Sequence, residues 1–232
     1  MTDRPILFSA PMIRAILDGR KLQTRRLLKP QPPHDVGQIL GPGLYYPTVT
    51  DCHGEEAPGP PVYGVCSECG MFGTKLKYAP GDRLWVRETW RAGPRFDDHP
   101  PRMVYGDIIY EADDRVAHSF GKLRPSIFMP RWASRITLIV ENVKVERLQS
   151  ISEADAIAEG SSPVLVPPDG GGAPHIEGFR DLWTSIHGID SWENNPWVAA
   201  ISFRVILVPR LNYENHHILR QFYNMNSYTS RS

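Results

Sequence analysis

Proline and glycine place the strongest limits on how this chain can fold. The 232 residues include 22 prolines and 19 glycines, and many of them fall in two stretches, residues 30–80 and 161–174. Proline lacks a backbone N–H and glycine favours turns, so such stretches are typical of loops and insertions. We therefore expect the main regular elements outside these stretches. No internal repeat has the spacing of a solenoid or a propeller.

The N-terminal residues predict a strand followed by a short helix. Residues 5–8 form an apolar run, and Pro11 stands where a helix can begin. Apolar residues then recur at helical spacing at Met12, Ile13, Ile16 and Leu17. Gly19 suits the end of this helix. The basic residues 20–26 therefore leave directly from a helix end.

Apolar alternation predicts several strands further along the chain. Residues 84–86 and 104–110 have the character of short strands. Residues 135–148 alternate over a longer span, with a change of phase near Asn142 that a bulge would explain. Residues 201–207 alternate again and predict a closing strand.

Two helices are predicted between these strands. Ser152, followed by Asp155 three residues later, predicts a helix start, and Gly160 suits the end of that helix. A second helix follows the glycine-rich loop and has an apolar stripe that contains Phe179, Leu182, Trp183 and Ile186.

This order of elements predicts the fold class. Many strands with a few short helices indicate an α+β fold built on a small, partly open β-barrel with short flanking helices and two long insertions. We expect residues 1–30 and 80–208 to form the barrel and residues 31–79 to form an insertion. Residues 209–232 are polar and uneven, which predicts a loosely attached tail.

Overall charge does not by itself indicate nucleic acid. The chain has 26 basic and 26 acidic residues, so its formal net charge is zero. Its N-terminus has no charged and then apolar signal segment, and no apolar run approaches the roughly 20 residues that cross a bilayer. We therefore expect a cytoplasmic protein without membrane contact. A nucleic-acid partner would have to bind at a local basic patch.

One basic segment is dense enough to bind phosphates. Six cationic side chains lie within sixteen residues, namely Arg14, Arg20, Lys21, Arg25, Arg26 and Lys29. Lysine and arginine at this density can neutralise phosphates locally. A solvated, charged surface is the alternative, because most charge runs have that role.

The motif Gly-Arg-Lys-x-x-Thr at residues 19–24, after a strand and a short helix, resembles the ASCH family. The segment Ile-Ser-Glu-Ala-Asp-Ala-Ile-Ala-Glu-Gly at residues 151–160 carries the same resemblance. Residues 7–12, 81–88 and 129–135 are similar to ASCH proteins encoded by phages and prophages. Together these segments extend the resemblance over about residues 5–30 and 80–207.

The resemblance implies a PUA-like barrel with a cleft that binds RNA or modified nucleosides. For small bacterial members it also implies N4-acetylcytidine amidohydrolase activity, with a lysine, a threonine three residues later and a glutamate from a later helix. In this chain these catalytic roles fall on Lys21, Thr24 and Glu159. Other ASCH proteins resemble ribonucleases or proteins that bind RNA or DNA. A non-catalytic module for single-stranded nucleic acid and a ribonuclease are therefore alternatives, and no organic cofactor is expected.

These three residues suit amide hydrolysis. A threonine hydroxyl beside a desolvated lysine supplies a nucleophile and its base, and a carboxylate can orient the lysine or share its proton. However, Lys21 and Thr24 would point to opposite faces of a regular strand, so catalysis requires a turn, bulge or helical segment. Glu159 lies in the last helical turn, where the helix dipole disfavours an anion. A catalytic role would explain that placement, and an ordinary exposed glutamate is the alternative.

Other side chains are candidates for binding nucleic acid or substrate. The set comprises Arg20, Arg25, Arg26, Glu88, Arg131, Trp132 and Arg135. Trp132 lies close to two arginines, and an aromatic face beside cations can stack a base, although tryptophan more often packs in a core. Alternation places Glu88 on the apolar face of its strand, so it requires a partner such as Lys21 or Arg25 unless it lies in solvent.

The cysteines suggest a structural zinc site in the first insertion. Cys66 and Cys69 have the two-residue spacing that grips one metal ion, and Cys52 with His53 lies thirteen residues earlier. Adjacent ligands rarely bind the same ion easily, so His34 or Asp51 could replace one of them. Three cysteines and one histidine would close the coordination sphere, which makes the site a staple and not a catalyst. Free thiols are the alternative.

Overall fold

A computed structural model describes residues 3–33, 38–50, 52–113, 120–164 and 172–207. The strands are β1 (Asp3–Leu7), β2 (Gln23–Leu27), β3 (Ile39–Tyr45), β4 (Thr48–Thr50), β5 (Glu56–Pro58), β6 (Val62–Ser67), β7 (Gly73–Lys75), β8 (Arg83–Arg87), β9 (Trp90–Ala92), β10 (Ile108–Tyr110), β11 (Ile136–Arg147) and β12 (Trp197–Leu207). The α-helices are α1 (Ala10–Leu17), α2 (Glu153–Ala158) and α3 (Pro174–His187).

Short 3-10 helices connect several of these elements. They span Pro94–Phe96, Pro101–Met103, Glu111–Asp113, Ser126–Phe128, Arg131–Ala133, Leu148–Ser150 and Ile189–Ser191. The prediction of an α+β fold with many strands and few helices is confirmed. No helix among the described residues is long and apolar enough to cross a membrane. The tail predicted after residue 208 lies outside the described residues, as do His34, Asp51 and residues 165–171.

The largest sheet has five strands in the order β1-β8-β11-β12-β2. In the described part of the chain this sheet is open and not a closed barrel, since β1 and β2 occupy its two edges. Strand β2 pairs antiparallel with β12, so that Thr24 faces Ile201 and Gln23 faces Ser202. This pairing places the basic segment on an edge strand, with its backbone aligned by the closing strand that alternation predicted.

The proline- and glycine-rich residues 30–80 contain more regular structure than expected. Strands β3, β6 and β7 form an antiparallel sheet, and β4 pairs with β5. Glycine helps here, because a Cβ at Gly64 would lie 2.2 Å from the carbonyl oxygen of Thr74. Only a residue without a side chain allows the two strands to approach this closely. Val65 and Tyr78 are buried, so the stretch also contributes core residues.

The chain divides into two compact units. Unit 1 contains the described parts of residues 15–83 and 139–204, and unit 2 contains those of residues 3–14, 84–138 and 205–207. A cluster of unit 1 core residues comprises Leu148, Ile151, Ala156, Phe179, Trp183, Trp192 and Val198. A cluster in unit 2 comprises Trp90, Ala92, Phe96, Val104, Ile108, Tyr110, Met129 and Ala133. Burial of each large apolar side chain in such a cluster stabilises the fold by about 1.5–3 kcal/mol.

The helix ends follow the predicted chemistry. The Ser152 hydroxyl accepts a hydrogen bond from the Asp155 N–H at 3.1 Å, and the Asp155 carboxylate accepts one from the Ser152 N–H at 3.5 Å. This capping box starts α2, and Gly160 follows its end with a φ of 76°. Helix α3 buries Phe179 and Trp183, one turn apart on the predicted stripe, whereas Ile186 near its end is exposed.

Candidate functional site

The backbone brings Lys21 and Glu159 together in unit 1. Lys21 follows α1, and its N–H donates to the Ala15 carbonyl at 2.9 Å. Lys21 and Glu159 then form an isolated antiparallel β-bridge, and the Leu22 N–H donates to the Ala158 carbonyl at 2.8 Å. The segment after α1 is therefore fixed alongside the end of α2, although 138 positions separate the two residues.

The side chains of this pair are joined out of contact with solvent. Lys21 Nζ donates to Glu159 Oε2 at 2.7 Å and to the Glu159 carbonyl oxygen at 2.7 Å. Lys21 is 1% exposed and Glu159 is 4% exposed. A buried charge of either sign is costly without a partner, so each of these two groups depends on the other.

Strand alternation adds Gln23 and Arg25 to the same cluster. Arg25 Nη1 donates to Gln23 Oε1 at 2.7 Å and to Glu159 Oε1 at 3.2 Å. Arg25 Nη2 lies 2.8 Å from Glu146 Oε1 and 3.3 Å from Asp155 Oδ2. Residues 21, 23 and 25 therefore project to one face, as side chains two apart do on a strand. We call Lys21, Gln23, Arg25, Glu146, Asp155 and Glu159 the Lys21 network.

Lys144 lies at the solvent side of the Lys21 network. Its Nζ is 3.1 Å from Glu146 Oε2 and 3.4 Å from Asp155 Oδ2. Gln23 Nε2 donates to Asp155 Oδ1 at 3.3 Å and to Ser202 Oγ on β12 at 3.2 Å. With Lys144 included, three cations oppose three carboxylates. The network is therefore balanced in charge, and it reaches solvent at Glu146 and Asp155, which are only partly buried.

The electrostatics of the network differ at its two ends. The pKa of Lys21 is lowered, chiefly by burial and also by the charges of Arg26 and Arg25, while the charge and hydrogen bond of Glu159 act in the opposite direction. Burial alone would raise the pKa of Asp155, but its hydrogen bond with Ser152 and the charges of Arg25 and Lys144 outweigh burial and lower this pKa to about 2. Lys21 thus releases its proton more easily than an exposed lysine, and Asp155 stays ionised.

Gly160 is the glycine on which this geometry depends. Its φ of 76° lies in the left-handed region, where other residues are strained. A Cβ at this position would also lie 2.9 Å from Lys21 Cβ and 3.1 Å from Ala15 Cβ. The glycine therefore serves the turn after α2 and leaves room for Lys21 beside it.

Thr24 is placed differently from the other two predicted catalytic residues. It is buried on β2 and pairs across the sheet with Ile201. Because Gln23 and Arg25 project to the Lys21 face, alternation directs the Thr24 side chain to the other face of β2. The structure therefore brings Lys21 and Glu159 into contact. Strand β2 is regular at Thr24, so it does not supply the turn or bulge that would direct the Thr24 side chain towards Lys21.

The predicted phosphate-binding arginines have unequal environments. Arg20 is exposed and pairs with Asp18 at 2.9 Å. The Arg25 side chain is fully buried and held by three carboxylates, so its charge is already neutralised inside the protein. Burial lowers the pKa of Arg26, with Tyr78 and Glu159 acting in the opposite direction. The basic segment is thus largely interior and not the solvated surface that charge runs usually form.

Sequence reasoning missed Gln23, Glu146 and Asp155 as members of the site. Asp155 was identified only as a helix-capping residue, and in the structure it has both roles. The alternation of Lys21, Gln23 and Arg25 was a signal that could have placed Gln23 with them. No local signal marks Glu146, because its position beside Arg25 depends on tertiary packing.

In unit 2, Glu88 pairs with Arg135. Arg135 donates from Nε and Nη2 to the two carboxylate oxygens of Glu88, each at 2.9 Å. Arg135 Nη1 lies 2.7 Å from Asp113 Oδ1, and its guanidinium stacks 3.9 Å from the centre of the Tyr110 ring. Glu88 is fully buried, and Arg135 binds both of its carboxylate oxygens, so the partner that the sequence required is present.

Trp132, also in unit 2, is the aromatic residue that the sequence predicted to contact a base. It is 44% exposed, and its ring meets Trp90 edge-on with 6.3 Å between ring centres. Its neighbour Arg131 donates to Asp3 Oδ2 at 3.0 Å and lies over the ring of Trp85 at 5.8 Å. Trp132 is therefore only partly buried by the core beneath it, and part of its ring faces solvent.

The cysteines lie in unit 1, two of them on β6 and in the β6–β7 turn and the third, Cys52, in the turn between β4 and β5. Cys66 is on β6, Cys69 follows it in the turn, and Cys52 and His53 are exposed. Within the described ranges no group of three His, Cys, Asp or Glu side chains is arranged to hold a metal ion. The set of Cys52, His53, Cys66 and Cys69 is therefore not assembled, and structural zinc stays a prediction.

Comparisons of the chain with protein-family models, with curated proteins and with solved structures found no match.

Proposed function

We propose that this chain is an ASCH-type amidohydrolase with a PUA-like fold, and that it removes the acyl group from an N4-acylated cytidine. The observation that carries this proposal is the buried contact of 2.7 Å between Lys21 Nζ and Glu159 Oε2. These two residues occupy the positions that the resemblance assigns to catalysis. A lysine desolvated in this way is suited to act as a base.

The chemistry assigned to Lys21 is proton transfer. Its lowered pKa favours a neutral amine at a lower pH than in an exposed lysine, and this amine can take a proton from the attacking group. Attack on the acyl carbonyl forms a tetrahedral intermediate. The bond from the carbonyl carbon to N4 then breaks, N4 takes the proton back from Lys21, and cytidine and a carboxylic acid are released. Glu159 holds the lysine in place throughout.

We assign the attack to a water molecule. Strand alternation directs the Thr24 side chain to the face of β2 opposite Gln23 and Arg25, so a direct proton transfer from Thr24 to Lys21 is disfavoured. Addition of water across the amide balances the reaction without an enzyme-bound ester. If Thr24 is instead the nucleophile that the resemblance implies, an acyl-Thr24 ester would accumulate and be visible by mass spectrometry.

The test is incubation of the purified protein with N4-acetylcytidine, both as a nucleoside and within an oligonucleotide. We expect cytidine and acetate, with a rate that increases with pH as Lys21 loses its proton. Lys21→Met should abolish turnover, because the base is lost. Arg20→Met is the matched control, since this adjacent cation is exposed and pairs with Asp18, and it should keep turnover close to the wild-type rate.

Two further outcomes separate the alternatives. Thr24→Val should retain measurable turnover if water attacks, and complete loss in a folded Thr24→Val protein would assign the attack to Thr24. Absence of turnover in the wild-type protein on both substrates would overturn the hydrolase proposal. It would favour a non-catalytic module, a function that the charge balance and deep burial of the Lys21 network also suit.

A further inference from the structure

The charged residues of the Lys21 network alternate in sign along a path from the interior of unit 1 to solvent. Lys21 contacts Glu159 at 2.7 Å, and Glu159 contacts Arg25 at 3.2 Å. Arg25 then contacts Glu146 at 2.8 Å, and Glu146 contacts Lys144 at 3.1 Å. The first three side chains are buried, whereas the side chain of Lys144 is 48% exposed. Lys144 is therefore a residue whose charge can be changed without opening the interior of the network.

Arg25 is shared between the two ends of this path. Its Nη1 donates to Glu159, the partner of Lys21, and its Nη2 lies 2.8 Å from Glu146 and 3.3 Å from Asp155. Arg25 and Lys21 therefore both neutralise Glu159, each at one of its two carboxylate oxygens. A cation that two sets of anions share is drawn towards the set with the larger uncompensated charge. The strength of the contact between Arg25 and Glu159 thus depends on what else neutralises Glu146 and Asp155.

Lys144 supplies a second positive charge to these two carboxylates. Its Nζ lies 3.1 Å from Glu146 Oε2 and 3.4 Å from Asp155 Oδ2, so it contacts both anions that also face Arg25. Glu146 approaches it from the same strand, β11, and Asp155 approaches it from α2. Burial acts to lower the pKa of Lys144, but the hydrogen bonds and charges of Glu146 and Asp155 raise it above its ordinary value. Lys144 is therefore a cation at neutral pH.

We propose that Lys144 is a positioning residue that keeps Lys21 available as a base. By neutralising the two carboxylates that also face Arg25, Lys144 leaves Arg25 shared with Glu159. Without the Lys144 charge, Arg25 is drawn towards those carboxylates, and Glu159 binds Lys21 more strongly. A carboxylate partner favours the protonated form of a lysine, so Lys21 then becomes a neutral amine only at higher pH. The role of Lys144 in catalysis rests on the proposed function, whereas its effect on the protonation of Lys21 does not.

Removal of the Lys144 charge tests this proposal without a change at the reacting groups. Lys144→Met keeps the apolar part of a side chain that is about half exposed, so the fold should tolerate it. With N4-acetylcytidine as substrate, the rise of kcat/KM with pH should move to higher pH by about half a unit, the size expected for a partly exposed ion pair. On that limb of the profile turnover falls about threefold. Lys144→Arg, which keeps the charge, should restore the wild-type profile.

Glu146→Gln removes the opposite charge and should have the opposite effect. Loss of this carboxylate leaves Arg25 more strongly bound to Glu159, so the profile should move to lower pH. Two variants at one contact that move the profile in opposite directions cannot both act by loosening the fold. Arg204→Met is the matched control, because Arg204 is exposed and lies 3.9 Å from Glu141, another carboxylate of β11. It should leave the profile unchanged.

The protonation of Lys21 is also measured directly, independently of turnover. The chain has six lysines, so NMR of protein with isotope-labelled lysine Cε gives few resonances, and the one absent from Lys21→Met belongs to Lys21. Its titration midpoint should lie below the ordinary value of 10.5, and it should rise in Lys144→Met and fall in Glu146→Gln. Arg26, whose charge also lowers the pKa of Lys21, is unchanged in all of these variants.

The outcomes separate this inference from the proposed function. The expected shifts of the Lys21 midpoint in a protein without turnover would overturn the proposed function and leave the control of Lys21 by Lys144 standing. Turnover, with a midpoint and a profile that Lys144→Met leaves unchanged, would do the reverse. Shifts in the same direction in Lys144→Met and Glu146→Gln, or an equal shift in Arg204→Met, would also contradict the inference.

Discussion

Arg20 and Lys21 are adjacent cations with opposite environments. The Arg20 side chain is exposed beside Asp18, whereas Lys21 is enclosed with Glu159. The two differ because Gly19 turns the chain in the left-handed region, after which Lys21 enters its bridge with Glu159. Charge and spacing alone describe these residues as equivalent. Burial distinguishes them, because it lowers the pKa of Lys21 and removes Lys21 from solvent.

At the same scale, Cys69 should be the most reactive cysteine. Its Sγ lies 3.3 Å from Ser67 Oγ, and hydrogen bonds from Ser67 and from the Met71 backbone lower the pKa of this exposed thiol. A larger thiolate fraction reacts faster with iodoacetamide at neutral pH. We expect peptide mass spectrometry to show Cys69 modified before Cys52, which is also exposed, and Ser67→Ala to slow the reaction at Cys69.

The same experiment addresses zinc. If Cys66 and Cys69 bind a metal ion, both should be protected from iodoacetamide until a chelator is added, and elemental analysis should find about one zinc per chain. The protein for this test is prepared without chelator. If Cys66 and Cys69 react with iodoacetamide at the same rate before and after a chelator is added, they do not bind a metal ion.

At the scale of elements, the end of α2 defines the candidate site. The capping box starts the helix at a predicted residue, and the turn at Gly160 returns the chain beside Lys21. Glu159 is therefore placed by a short helix of defined length and not by a flexible loop. Asp155 lies on α2 and Glu159 is the C-cap residue of this helix, so α2 and its C-cap place two of the three carboxylates that face Arg25.

Gly160→Ala should impair both stability and turnover. The left-handed backbone costs an alanine about 1–2 kcal/mol, and the contact with Lys21 Cβ adds to that cost. Gly70→Ala is the control, because Gly70 has a φ of 75°, close to that of Gly160, and a Cβ there meets nothing within 4 Å. Chemical denaturation should show a larger loss for Gly160→Ala than for Gly70→Ala. Equal losses would mean that Lys21 is not constrained by this turn.

At the scale of the whole molecule, the network couples stability to pH. The pKa of Asp155 is lowered to about 2 from an ordinary 3.8, so the folded state holds this proton less tightly than the unfolded chain. Asp155 therefore stabilises the protein above the ordinary value, and this stability is lost as the pH falls through the folded pKa. Lys21 acts at alkaline pH. Because its pKa is lowered in the folded protein, the folded state loses this proton more easily than the unfolded chain, so stability increases as the pH rises towards the ordinary value of 10.5.

Unfolding measurements should show the acid part of this dependence. Between about pH 4 and pH 2 the free energy of unfolding should fall by up to about 2 kcal/mol from Asp155 alone. Asp155→Asn should flatten the profile in that window. Asp18→Asn, at an exposed carboxylate paired with Arg20, should leave its shape unchanged. A profile of the same slope in wild type and Asp155→Asn would contradict the coupling.

The sequence by itself determined the local structure of several elements outside residues 30–80. Alternation predicted β12 and the long strand β11, the Ser152 and Asp155 pair predicted the start of α2, and glycine predicted the ends of the first two helices. These predictions succeed because they depend on backbone preferences and on neighbours within a few residues. The motif at residues 19–24 likewise singled out Lys21, and the helix ending before Gly160 singled out Glu159.

Only the tertiary structure decided which charges meet. Tertiary packing buries Arg25, which the sequence suggested as a phosphate contact, and it pairs Glu88 with Arg135. Tertiary structure also forms strands within residues 30–80, where composition predicted loops. Gly64 allows two of these strands to approach each other closely. The physical reason is that a buried ion pair joins residues far apart in the chain, 47 positions for Glu88 and Arg135 and 138 positions for Lys21 and Glu159. Their separation in space is set by sheet pairing and helix packing, and no local pattern encodes it.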